Sequence, residues 1–171
     1  MRLVVAIEIK IKSLMITKLC DPDYNVYTGD VNPKPEGAAT NLRSAGFHIH
    51  LGYDNFNTQT SLLLIRYLDM YLGIPSVVYD RDTERRSLYG KAGSFRLQPW
   101  GLEWRSMSSA MQADEEKLNI VWTGIQNAIY AYNHGLPLID SEVVMDVINN
   151  GKLASAKRLI KKYNLLAPLG E

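Results

Sequence analysis

Cysteine, histidine and net charge are all scarce in this chain. Its 171 residues include one Cys and three His, and 19 Lys and Arg against 18 Asp and Glu leave a formal charge of +1. The single thiol, Cys20, excludes an internal disulfide and a multi-thiolate zinc site, and it matches a reducing compartment. The near-neutral charge supplies no basic field for nucleic acid or for an anionic membrane surface. No apolar run approaches the ~20 residues that span a bilayer. The opening MRLVVAIEIKIK lacks an uninterrupted hydrophobic stretch followed by a small-residue cleavage site. There is no internal repeat and no low-complexity tract. What remains is an ordinary globular composition, 46% hydrophobic, in a length that fits one domain.

The pattern along the chain changes near residue 112. Residues 3–12 alternate Ile7, Ile9 and Ile11 with Glu8, Lys10 and Lys12, the period of a half-buried strand. Residues 20–40 are rich in Asp, Pro, Asn and Gly and read as a long loop with a short strand near 24–27. Strands are expected at 45–52, 93–98 and 101–107, the last two joined at Pro99-Trp100-Gly101. Residues 60–72 read as a helix ended by Gly73 and Pro75, and 76–80 as a strand or a buried helix end. Beyond 112 the chain is helical. Asp114 caps a helix to Asn133, Asp140 or Ser141 caps another to Asn150, and a basic helix covers about 153–163. The expectation is an α+β fold with an antiparallel sheet, a single domain with a sheet-containing core over 1–112 and a helical part over 113–171.

Successive strand residues point to opposite faces. Phe47, Ile49, Leu51, Phe95, Leu97, Leu102 and Trp104 then share the apolar face. His48, His50, Arg96, Gln98, Glu103 and Arg105 share the other. A neutral imidazole and a carboxylate together hold divalent metals, and arginines beside a metal suit phosphate or carboxylate oxygens. Lys91, on a Gly-flanked turn, adds a cation for a phosphate. Each motif has a plainer reading: H-x-H as hydrogen-bonded histidines, E-x-R as a solvated ladder, and the run Arg81, Arg85, Arg86 as a solvated face. The inference rests on their coincidence on one face.

The stretches AGFHIHLGYD, YGKAGSFRLQPWGLEWRSMSS and CDPDYNVYTG resemble the phage-type carboxylate–amine ligases (amidoligases) of the glutamine synthetase and glutamate–cysteine ligase superfamily. The likeness covers about residues 20–110. It implies a curved, mainly antiparallel sheet whose concave face binds ATP, Mg²⁺ or Mn²⁺ and an acid. It also implies a reaction in which a carboxylate is phosphorylated and an amine attacks the acyl phosphate. Carried over by position, His48 and Glu103 resemble metal ligands, with Asp21 and Asp23 as further carboxylates. His50, Lys91, Arg96 and Arg105 resemble phosphate-binding groups, with Arg96 and Arg105 catalytic. Such families open with a strand of acidic ligands, whereas Glu8 is the sole acidic residue in 1–19. The chain therefore reads as a domain lacking its first strands, with 3–12 available to pair with a second copy in a homo-oligomer. The resemblance implies small-molecule or peptide carboxylate and amine partners and a cytoplasmic location, that of the host if a phage encodes the chain. The competing expectation is an inactive nucleotide- or metal-binding, or structural, descendant of the same fold.

Overall fold

The computed structural model describes residues 3–11, 23–33, 45–54 and 57–170. One five-stranded antiparallel sheet carries the fold, in the order β1-β3-β5-β4-β2. The strands are β1 (Leu3–Ile11), β2 (Tyr24–Asn25), β3 (Ala45–Tyr53), β4 (Ser94–Gln98) and β5 (Gly101–Ser108). Strand β1 pairs with β3 of its own chain, with Glu8 in register with His48. One sheet face packs on α1 (Thr58–Leu68) and a π-helical turn (Asp69–Gly73), which runs on into α2 (Ile74–Tyr79). The helices α3 (Thr83–Leu88), α4 (Glu115–Asn133), α5 (Ser141–Asn149) and α6 (Leu153–Tyr163) follow. Asp114 and Asp140 cap α4 and α5 through their carboxylates, as their sequence positions predict.

The period-2 pattern puts Phe47, Ile49, Leu51, Leu102 and Trp104, all fully buried, on the helix side of the sheet. They share a core with Leu64, Ile65 and Leu68 of α1 and with Val121, Ile125 and Ala128 of α4. Helical and sheet-forming parts therefore bury one another.

The helix expected to stop at Gly73 and Pro75 does not stop. Thr58–Tyr79 is continuous, so of the two readings of 76–80, strand or buried helix end, the helix end holds, with Asp80 just past it. A proline inside a helix lacks the N–H that would bond the carbonyl four residues back and clashes with it. The π turn before Pro75 widens the backbone and absorbs that clash. Helix α4 then crosses at Gly124, where a Cβ would stand 2.7 Å from the Tyr71 carbonyl oxygen and 2.3 Å from Leu72 Cδ2. Thr58–Tyr79 has the length and apolar content of a membrane span, but most of it is spent on this core.

The arginine run is a second correction. Arg81 is exposed, but Arg85 and Arg86 are buried. Arg85 donates to the Met107 carbonyl at 2.8 Å and Arg86 to the Asp80 carbonyl at 3.2 Å, while Ser108 donates to Asp80 at 2.6 Å. The run ties α3 to the end of β5 instead of forming a solvated face.

At the β4–β5 turn a Cβ on residue 101 would stand 1.9 Å from the Leu51 carbonyl oxygen of β3. The backbones meet too closely there for a methyl group. Gly101→Ala should therefore force the hairpin from β3 and cost ~1–3 kcal/mol, read as a lower urea midpoint with an unchanged slope.

Candidate metal centre

The face of the sheet away from the helices gathers His48 and His50 from β3 and Glu103 and Arg105 from β5. Ladder register brings them together: His50 lies opposite Glu103, and Glu103 lies opposite Arg96 of β4. Between the pairs Phe47–Met107 and Ile49–Trp104, β5 spends one residue more than β3, and this bulge falls opposite His48. Bulges bend a strand and re-aim its side chains. Here the bulge lies at Arg105, whose guanidinium reaches back to Glu103 on one side and toward Asp23 on the other.

Glu103 is the centre of the group and is 1% exposed. His48 Nδ1 lies 2.9 Å from its Oε1. Arg105 Nη1 donates to the same oxygen, and Gln98 donates to Oε2 at 3.2 Å. Burial acts to raise the carboxyl. The hydrogen bond from His48, with the charges of Arg105, His48 and Arg96, overrides burial and holds Glu103 well below the usual carboxylate range. Arg105 Nη1 also lies 3.4 Å from His48 Nδ1. A guanidinium only donates, so in the metal-free protein the Nδ1 proton goes to the carboxylate, and a cation shared by His48 and Glu103 would take that proton's place.

One ligand atom from each of His48, His50 and Glu103 falls within 4.8 Å of the others. That spacing fits three ligands around one cation at bond lengths of ~2.0–2.3 Å. Two imidazoles and one carboxylate are donors for Mn²⁺, Fe²⁺ or Zn²⁺ more than for Mg²⁺, which favours oxygen. His50 is further held by stacking on Trp100, with ring centroids 5.4 Å apart at 27°.

The other sequence candidates divide. Asp23 stands at the edge of the group, its Oδ2 3.8 Å from Arg105 Nε and itself 31% exposed. Arg96 faces Glu103 across the ladder. Asp21 lies outside the described residues. Lys91 sits in a turn between Gly90 and Gly93, both at positive φ. Burial lowers its ammonium pKa, and the charge acting on it is that of Arg86, not of the metal cluster.

Two contributors were not singled out from the sequence. Gln98 alternates onto the right face, but a lone amide carries no signal of its own. Trp100 reads as a turn residue and reaches His50 only through the hairpin.

The sequence profile of the family described as "Phage phiEco32-like COOH.NH2 ligase-type 2" matches residues 36–134, a span that includes His48, His50, Arg96, Glu103 and Arg105. No curated protein matches the chain. No solved structure matches it.

Proposed function

We propose, from the premise that this chain belongs to the phage phiEco32-like carboxylate–amine ligase family of type 2, that it joins a carboxylate to an amine at the expense of ATP. The observation that supports this most is the meeting of a His48–His50–Glu103 ligand set with Arg96 and Arg105 on one sheet face.

In this reading His48, His50 and Glu103 hold a divalent cation, with Mn²⁺ favoured over Mg²⁺ by the donor set. The bound cation supplies charge neutralisation to the triphosphate. Arg96 and Arg105 bind the transferring phosphoryl group and the acid, since the guanidinium fork matches both. A carboxylate oxygen of the acid bonds to the γ-phosphorus and ADP leaves. The amine then bonds to the acyl carbon, phosphate leaves, and the amine nitrogen gives up a proton.

Calorimetry with ATP and Mn²⁺ tests the reading. The wild type should bind, and Arg96→Ala should bind at least ~10-fold more weakly, the loss of one charge-assisted contact. No binding by the wild type would refute the reading.

A further inference from the structure

A cleft of about 650 Å³ runs beside β4, lined by Tyr24, Leu62, Phe95 and Leu97 together with Arg96 and Gln98. Residues from both faces of β4 line it, so it follows the strand's outer edge, beyond the two positions where β2 pairs. Small-molecule sites have this volume and this mixture, apolar walls with a few polar groups. Two of its apolar lining residues are exposed, Tyr24 at 42% and Leu97 at 39%. Apolar surface grouped in one place marks a binding region more often than chance exposure does.

Two residues link the cleft to the metal cluster. Gln98 lines it and also donates to Glu103 at 3.2 Å. Arg96 lines it and its charge is felt at Glu103. A carboxylate seated against Arg96 would therefore stand beside the cation-binding group, with its remaining bulk along Phe95, Leu97 and Leu62. A small acid would leave that lining without contacts.

We propose that the acid substrate carries a large apolar group next to its carboxylate and that this cleft seats that group. The proposal rests on the ligase reading for its chemistry, but its binding preference is measurable without turnover.

The test uses the full chain and two probes, N-acetyl-phenylalanine and N-acetyl-glycine, titrated by calorimetry into the wild type and Leu97→Asp. Leu97 is exposed, so the variant should fold, as circular dichroism would verify. Mn²⁺ binding is measured separately on both proteins. The expected result is that the wild type binds the phenylalanine acid at least ~10-fold more tightly. Leu97→Asp should lose that preference while binding Mn²⁺ as the wild type does. Equal affinity for the two acids, or no binding of either, overturns the proposal even if Mn²⁺ binds. A wild-type dimer that Leu97→Asp dissociates, with no preference between the acids, assigns the surface to a second copy and also overturns it. Selective acid binding by a protein that takes up no Mn²⁺ supports the cleft and refutes the ligase reading beneath it.

Discussion

Asp69→Asn should destabilise the protein by ~2–4 kcal/mol at pH 5, with a melting temperature lower by about 5–15 °C. Asp69 sits in the π turn on the helix side of the sheet and is fully buried. Trp104 Nε1 donates to its Oδ1 at 2.8 Å and the Gly93 N–H to its Oδ2 at 2.5 Å. Ser106 and the Tyr27 hydroxyl complete the shell. A hydroxyl can rotate and accept, but an N–H cannot. Both carboxylate oxygens face a fixed N–H, so an asparagine amide in either orientation leaves one buried donor against another donor. The pH dependence has a definite sign. Burial, only partly opposed by these hydrogen bonds, raises the Asp69 carboxyl from 3.8 to about 7. The folded state therefore keeps a proton that the unfolded state releases. The group's contribution is complete below about pH 4 and is lost as pH rises to 7, ~4 kcal/mol in all. The variant lacks this titration, so its deficit should narrow from pH 5 to pH 8. Urea unfolding of both proteins at several pH values checks the size and the slope together.

Glu103→Gln should weaken Mn²⁺ binding by at least ~100-fold and also lower stability, by ~3–5 kcal/mol, in metal-free protein. The substitution keeps shape and removes charge. His48 and Arg105, with side chains 6% and 10% exposed, would lose the carboxylate that offsets their burial. The nearest remaining acid to Arg105 among the described residues is Asp23, 3.8 Å away and partly solvated, where screening weakens a pair. Mn²⁺ titration followed by electron paramagnetic resonance measures the first effect and denaturant unfolding the second. Unchanged Mn²⁺ affinity would remove Glu103 from the ligand set.

The sheet was legible in the sequence because its strands obey a two-residue period and their apolar residues are large. The H-x-H and E-x-R pairs could be placed on one face by alternation alone. The helix ends at Asp114 and Asp140 were legible for a different reason, since capping is a local interaction. What the sequence hid was set by tertiary contacts. Gly73 and Pro75 are ordinary stop signals, and the helix passes through them as a π turn packed against α4 at Gly124. Arg85 and Arg86 look solvated until β5 supplies the Met107 carbonyl and α2 leads into Asp80. Asp69 is one acidic residue in an apolar helix, and nothing local shows that Gly93, Trp104 and Ser106 converge on it. The bulge opposite His48 leaves no mark in the pattern, although it falls at the arginine that closes the site.

If His48 and His50 hold a cation with Glu103, pulsed electron paramagnetic resonance of the Mn²⁺-loaded protein should show nitrogen couplings from two imidazoles, one lost in His48→Ala and one in His50→Ala. A spectrum of fully hydrated Mn²⁺, without imidazole nitrogen, would contradict that ligand set.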